Sequence, residues 1–411
     1  VVEMSRKYLI VIPISILVVA LSSCFFFQAG SPPVSLYWHF KDTGLANAYF
    51  AYDPDSDILF IRGDSEGTLS VESTPPYVNS AIAAVSIKDK QVLWRKVYPA
   101  ILGNGKWVEV YNGKVYLLEC GTERNPSGLV ALDEKTGEQI WKVPFENRWI
   151  FNGFTISEGY VYTFGGGHYD PTSIYKINAE NGEIEWEVPI QGAFHTCPVV
   201  DEEYGHVYFG TSTSPDSETE PRYFYALNTA DGSIAWEVTI DATPGLIDNF
   251  NSIPVIGGDS VYAGTWFGKI IRFDRRTGEK IWEERLMDKE GMHCEPGWGG
   301  RFWVYKDKLL MVLTRGIILA LNTKDGSVAW QKDVSITLCA LHDLYLDKGR
   351  IYVHGYASNI GCFSAEDGKK LWIYAPPDSD YRVSGTPMVI GDYLVDTTQY
   401  GDVYVIKLNE K

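Results

Sequence analysis

The chain has 411 residues, with 36 Lys+Arg against 53 Asp+Glu and a formal charge of −17. Hydrophobic residues at 45% and charged residues at 22% exclude a disordered chain, and the acidic balance excludes a nucleic-acid binder, which needs a basic face for phosphates. The 26 Tyr and 13 Trp, together with 39 Gly and 20 Pro, favour short strands joined by turns over helices.

The N-terminal stretch reads as a targeting segment. Arg6 and Lys7 precede an apolar run from Leu9 to Leu21, the charge and length pattern of an export signal. The run ends Leu21-Ser22-Ser23-Cys24, which resembles a lipoprotein signal, with Cys24 as the lipid attachment site. Phe25, Phe26 and Phe27 extend the apolar stretch far enough for an uncleaved anchor instead, and an ordinary cleaved signal is the third reading. All three place the bulk of the chain outside the cytoplasm, in the cell envelope, and the first two hold it at a membrane by lipid or by the anchor. Residues 1–33 are therefore expected to be signal or anchor plus linker, and 34–411 the folded domain.

The folded part is one repeat. Ala131-Leu132-Asp133 leads through Thr136-Gly137 to Trp141, and the same order recurs at Ile177-Asn178…Gly182…Trp186, Leu227-Asn228…Gly232…Trp236, Phe273-Asp274…Gly278…Trp282, Leu321-Asn322…Gly326…Trp330 and Phe363-Ser364…Gly368…Trp372. A weaker first copy runs from Ala84 to Trp94, with Lys90 where Gly is expected. The Trp residues at 94, 141, 186, 236, 282, 330 and 372 fall 42 to 50 residues apart. In five of the seven copies a strand enters an Asx-x-x-x-Gly hairpin, the Asx side chain caps the turn, and Gly takes the positive-φ position; Ser364 replaces the Asx in the seventh copy, and Ser86 and Lys90 replace both residues in the first. Two further short strands lie upstream, such as those around Val199 and Val207. Four strands in such a period form a propeller blade, and stacking blades buries faces that one sheet cannot bury alone. The Trp is expected to wedge against a small residue of a neighbouring blade, with Ala131, Ala226 and Ala320 as candidates. The C-terminus repeats the inner strands of an eighth blade but stops before its Trp. The missing outer strand stands at the other end, around Trp38. The fold class is thus all-β, an eight-bladed propeller closed by its N-terminal strand, with Trp38, Trp94, Trp141, Trp186, Trp236, Trp282, Trp330 and Trp372 as docking residues. The closed ring is expected to be monomeric.

The motif A-x-D-x-x-T-G-x-x-x-W, complete from Ala131 to Trp141, resembles the tryptophan-docking repeat of pyrroloquinoline quinone (PQQ)-type propellers, over about Trp38 to Asn409. That family contains quinone-dependent dehydrogenases and non-enzymatic scaffolds, among them lipoproteins of the outer-membrane protein assembly factor B type. The lipoprotein-like signal and the eight blades resemble the second group. The resemblance implies a non-catalytic, exported scaffold with a protein partner in the envelope and no cofactor. The alternatives it leaves open are a PQQ- and Ca²⁺-dependent dehydrogenase and a carbohydrate- or ligand-binding surface protein. The dehydrogenases are longer and commonly carry adjacent cysteines over the cofactor; no Cys-Cys pair stands in this sequence. Asp248 and Asp343 read as loop or turn residues and not as calcium ligands.

Several residues can face the channel mouth. His195 and Cys197 precede the inner strand of blade 4, His293 and Cys294 lie in the connection into blade 6, and Cys339 and His342 precede blade 7. Thiol and imidazole suit Zn²⁺ or Cu⁺, a Cys197–Cys294 disulfide suits an oxidising compartment, and a free Cys is most often a small buried hydrophobe. Cys120 and Cys362 read as packing residues. Trp107, Trp149, Trp266, Trp298 and Trp303 fall outside the docking set. Trp298 and Trp303, in Gly-rich sequence, can stack on a sugar or a partner's aromatic ring, or fill volume between blades. The second-to-third-strand connections of blades 1 to 4, from Gly63 to Ser80 and from Thr211 to Arg222 among them, are long and acidic, as a tolerated insertion or a partner surface.

Overall fold

A computed structural model describes residues 33–409 other than 42–44, 66–76, 102–106, 120–125, 146–152, 166–171, 191, 193–196, 213–220, 241–247, 287–300, 314–315, 335–342, 355–358, 377–385 and 399–400. The first strand, β1 (Val34–Phe40), stands apart from those that follow it in sequence. Blade 1 is β2 (Ala46–Asp53), β3 (Ile58–Ser65), β4 (Tyr77–Ser86) and β5 (Gln91–Ile101); blade 2 is β6 (Val108–Tyr111), β7 (Lys114–Glu119), β8 (Ser127–Asp133) and β9 (Gln139–Phe145). Blade 3 is β10 (Phe154–Ser157), β11 (Tyr160–Phe164), β12 (Thr172–Asn178) and β13 (Ile184–Ile190); blade 4 is β14 (Val199–Asp201), β15 (His206–Gly210), β16 (Arg222–Asn228) and β17 (Ile234–Ile240). Blade 5 is β18 (Val255–Gly257), β19 (Ser260–Gly264), β20 (Lys269–Asp274) and β21 (Lys280–Arg285); blade 6 is β22 (Trp303–Tyr305), β23 (Lys308–Leu313), β24 (Ile317–Asn322) and β25 (Val328–Asp333). Blade 7 is β26 (Leu344–Asp347), β27 (Arg350–His354), β28 (Ile360–Ser364) and β29 (Lys370–Tyr374), and the last three strands are β30 (Met388–Ile390), β31 (Tyr393–Thr397) and β32 (Val403–Leu408).

Each blade is an antiparallel four-stranded sheet in sequence order, except the eighth, whose order is β1-β32-β31-β30. The N-terminal strand is therefore the outer strand of the last blade. It pairs from Val34↔Leu408 to Phe40↔Val403, with an irregularity between Leu36 and Trp38. Eight hydrophobic clusters each straddle one seam between adjacent blades. Ala84 of blade 1 packs with Leu117 and Val130 of blade 2, and so on round to Leu59 of blade 1 with Val395 and Val405 of blade 8. The middle strands β3, β7, β15 and β23 are buried almost throughout because both of their faces meet neighbouring blades. Their near-continuous apolar runs follow from that.

The hairpins explain the repeat. Asp133 Oδ1 accepts the N–H groups of Lys135 (3.0 Å) and Thr136 (2.8 Å) and the Thr136 hydroxyl (2.9 Å), while the Gly137 N–H donates to the Asp133 carbonyl (2.8 Å). Asp274 and Thr277 repeat the arrangement. The glycine is required twice over: Gly278 sits at φ +74°, and a Cβ there would lie 2.6 Å from the Trp236 ring. For six of the eight docking Trp residues the partner is thus the turn glycine of the next blade and not the alanine expected from the sequence. Trp94 meets Gly137, Trp141 meets Gly182, Trp186 meets Gly232, Trp282 meets Gly326 and Trp330 meets Gly368. Ala131, Ala226 and Ala320 instead pair across strands with the Trp of their own blade. The indole N–H groups of Trp94, Trp236 and Trp282 donate to the carbonyls of Glu134 (2.7 Å), Arg275 (3.2 Å) and Thr323 (2.9 Å) in the next blade.

Gly278→Ala is expected to cost about 2–3 kcal/mol, from the left-handed backbone and the clash with Trp236 together. Denaturant unfolding checks it; a change within about 0.5 kcal/mol would show that the indole does not lock onto this turn. Blade 1 departs from the rule. Lys90 takes φ +55° in place of glycine, and its ammonium donates to the Tyr37 carbonyl (3.0 Å) and sits 4.1 Å above the Tyr37 ring. The lysine clamps the N-terminal strand at the closing seam. The blade 1 strands also run further than expected. Gly63 and Asp64 belong to β3 and the residues before Ser80 to β4, so the connection is shorter than the sequence suggested.

Candidate functional site

The innermost strands bring residues far apart in sequence to the axis. Tyr49 lies on β2, Trp107 and Glu109 enter β6, Cys197 precedes β14, Arg301 precedes β22 and Asp343 precedes β26. The Arg301 guanidinium lies 4.4 Å over the Trp107 ring, and Tyr49 tilts against the same indole at 5.7 Å. Glu109 is held by the Trp107 indole N–H (2.8 Å) and the Ile156 N–H (3.3 Å). Asp343 accepts from the Leu344 N–H (2.8 Å), the Thr386 hydroxyl (3.0 Å) and the Arg301 N–H (3.3 Å). A recess of about 250 Å³ opens beside Tyr49, Tyr52, Trp107, Glu109 and Arg301.

Burial dominates the electrostatics. It pushes the Glu109 carboxyl up to about 7, with the Trp107 hydrogen bond and Arg301 pulling the other way. It also pushes Asp343 up, and it raises the Tyr49 hydroxyl and the Cys197 thiol to about 12 each. The axis therefore carries one guanidinium stacked on an aromatic ring, two carboxyls drawn toward their neutral forms, and an unreactive thiol.

Asp343 and Asp248 lie outside the strands, as expected, yet both are buried and hydrogen-bonded and neither is an exposed turn residue. Asp248 is fully buried, accepts the Phe267 N–H (3.0 Å), and lies 3.6 Å from Lys269 and 3.7 Å from Arg285. Cys197 is a free, buried thiol packed against Gly153, and Cys362 is a free, buried strand residue of the seam between blades 7 and 8. Trp303 donates its indole N–H to the Leu344 carbonyl (2.9 Å) and sets its ring edge-on to Tyr345, so it fills the seam between blades 6 and 7. Cys24, Cys120, His195, His293, Cys294, Trp298, Cys339 and His342 lie outside the described residues.

The described residues do not fit a quinone and its calcium. Ca²⁺ takes six to eight oxygen ligands, and no group of three His, Cys, Asp or Glu converges among the described residues. The two axial carboxyls are already engaged by donors and lean toward the neutral acid, and Arg301 places a positive charge beside them.

A second carboxyl pair sits between blades 1 and 2, unanticipated from the sequence. Glu134, 5% exposed, lies beside Asp53, and its Oε2 is buried without a hydrogen-bond partner among the described residues. Burial first, then the adjoining Asp53 carboxyl, push Glu134 up to about 7. Asp53 is lowered: burial opposes this, but the Asp55 N–H, the Ser56 hydroxyl and Glu134 outweigh it, so the proton resides on Glu134. The matching position of the seam between blades 4 and 5 holds an ion pair instead, Arg275 with Asp201 at 3.2 Å. Because Glu134 is raised on folding, its stabilisation is complete below the ordinary carboxyl range and is lost as pH climbs through about 7. Glu134→Gln keeps a donor toward Asp53 at every pH. It should flatten the decline and raise stability at pH 8 by roughly 1–2 kcal/mol. Melting curves from pH 5 to 8 check this, and a variant melting in parallel with the wild type would refute the shared proton.

Among the described residues the eight seams, the Trp-to-turn docking and the closing N-terminal strand define a PQQ-like repeat β-propeller. A family profile described as outer membrane protein assembly factor BamB matches residues 126–293 and 267–410, and the chain belongs to that family. It is 26% identical over 289 residues to the BamB of Yersinia pestis, a match covering 65% of this chain and 66% of that protein, just under two thirds of its length. The crystal structure of BamB from Moraxella catarrhalis superposes with a TM-score of 0.64 at 16% identity, covering 92% of this chain and 98% of that one. Quinohemoprotein alcohol dehydrogenase from Comamonas testosteroni superposes with a TM-score of 0.69 at 14% identity, over 92% of this chain and 77% of that one. These structural likenesses establish the shared fold alone.

Proposed function

We propose that this protein is a non-catalytic scaffold of the cell envelope that takes part in outer-membrane protein assembly. The observation that carries the reading is the family match from residue 126 to 410. The described axial residues support it: Arg301 stacks on Trp107, and Glu109 and Asp343 are engaged by neighbouring donors, an arrangement that spends their polar groups on structure. On this reading the Leu9–Leu21 run exports the chain, Cys24 or the apolar stretch itself holds it at a membrane, and a monomeric ring presents fixed loops and strand edges to a protein partner. Rigidity is the mechanism, since a preorganised surface binds without an ordering cost.

Affinity purification of the full chain from gently solubilised envelopes of its host tests the reading. Enrichment of a β-barrel assembly component is expected. Recovery of no such component, or dye-linked alcohol or sugar oxidation by the purified protein after addition of PQQ and Ca²⁺, would overturn it.

A further inference from the structure

The outer strand of blade 1 differs from every other outer strand. β5 has 11 residues, whereas β1, β9, β13, β17, β21, β25 and β29 have 5 to 7. One side of β5 pairs with β4, and the other has no strand partner among the described residues. At about 3.3 Å per residue, the stretch from Gln91 to Tyr98 offers an edge of roughly 25 Å before Pro99, which lacks an N–H. Its apolar side chains are not covered: Val92 is 38%, Leu93 41% and Val97 48% exposed.

Charge separates this edge from the rest of the molecule. Around it stand Lys88, Lys90, Arg95 and Lys96 against Asp89 alone, in a chain whose net charge is −17. At the position of Arg95, directly after the docking Trp, blades 3, 4 and 5 carry Glu187, Glu237 and Glu283. Blade 2 carries Lys142 there, paired with Glu119 at 2.8 Å. Arg95 and Lys96 have no ion-pair partner among the described residues. Lys90 is occupied by Tyr37, which leaves Lys88, Arg95 and Lys96 to face a ligand.

We propose that the β5 edge from Gln91 to Tyr98 is a docking site for an extended acidic segment of a partner protein, which adds a fifth strand to blade 1. Main-chain hydrogen bonds to the open edge supply affinity, and carboxylates opposite Arg95 and Lys96 supply selectivity. The site rests on the scaffold reading, which it makes specific. The competing account is that the cations only guard the edge against pairing.

The probe is a fluorescein-labelled decapeptide of adjacent Glu pairs separated by Thr and Val, which places carboxylates on both faces of the added strand, titrated against the full chain by anisotropy at low salt. Two control peptides replace Glu by Lys or N-methylate alternate backbone nitrogens. The acidic peptide is expected to bind at least tenfold more tightly than either control. The double variant Arg95→Glu/Lys96→Glu, and its neutral counterpart Arg95→Gln/Lys96→Gln, are expected to lose at least tenfold while retaining the wild-type circular dichroism. Hydrogen exchange on binding should slow in Gln91–Tyr98. Undiminished binding by the variants, equal binding of the N-methylated peptide, or protection confined to another blade would each overturn the site. Such a failure leaves co-purification with an assembly component intact, whereas failure of co-purification leaves peptide binding intact, so the two readings fail separately.

Discussion

A chain beginning at Lys41 is expected to lose on the order of 5 kcal/mol of stability, because it lacks the outer strand of the eighth blade. Val34 is buried in the seam between blades 7 and 8, with Leu36 packed beside it, and Tyr37, Trp38 and Phe40 pack into the seam between blades 8 and 1. Half-burial of five such side chains contributes roughly 1 kcal/mol each, a loss comparable to the whole stability of an ordinary domain. The cut also exposes the β32 edge from Val403 to Leu408, a template for self-association. Further contacts go with it: the His39 ring stacks at 4.3 Å on Tyr404 with its Nε2 3.3 Å from Asp402, and the Asn409 N–H donates to the Pro33 carbonyl at 2.9 Å. Thermal unfolding and gel filtration measure the effect, and a synthetic peptide of residues 33–41 should restore part of the lost stability. A truncated chain that melts with the wild type would show that the ring does not depend on this closure.

Arg62→Ala is expected to cost about 3–5 kcal/mol. Arg62 lies on β3 of blade 1 and is fully buried. Its guanidinium donates to the Trp107 carbonyl at 2.8 Å and to the Leu118 carbonyl, both in blade 2. Truncation leaves a cavity and two buried carbonyls short of a donor. The same change loosens Trp107, on which Arg301 stacks. Arg62→Lys keeps the charge but not the planar fork that serves two acceptors, and an intermediate loss follows. Denaturant midpoints measure both variants. Arg62→Ala within about 1 kcal/mol of wild type would mean that blades 1 and 2 are held by their apolar seam alone.

The ring was legible because its determinants are local and periodic. Asp133-x-x-x-Gly137 followed by Trp141 encodes a turn within one copy, and Trp38 at one end matches the missing indole at the other. What each indole touches was not legible, since Trp94 and Gly137 belong to different copies and meet only when blades stack. The axial group was hidden for the same reason. Tyr49, Glu109, Arg301 and Asp343 lie on different blades, and no spacing rule joins them. Lys90 reads as a defect in the first copy, but its role depends on Tyr37 of the neighbouring eighth blade. The buried pair of His354 with Asp396, 3.0 Å apart across the seam between blades 7 and 8, left no mark in the repeat at all. Asp248 and Asp343 read as turn residues because burial of a lone carboxylate depends on donors supplied by other segments.

Depletion of the protein in its own host, followed by the amount of folded, heat-modifiable β-barrel in the outer membrane, tests the scaffold account most directly. The account predicts a fall in folded barrels that the wild-type chain restores and that a chain lacking the N-terminal strand does not. Unchanged barrel levels on depletion would contradict it.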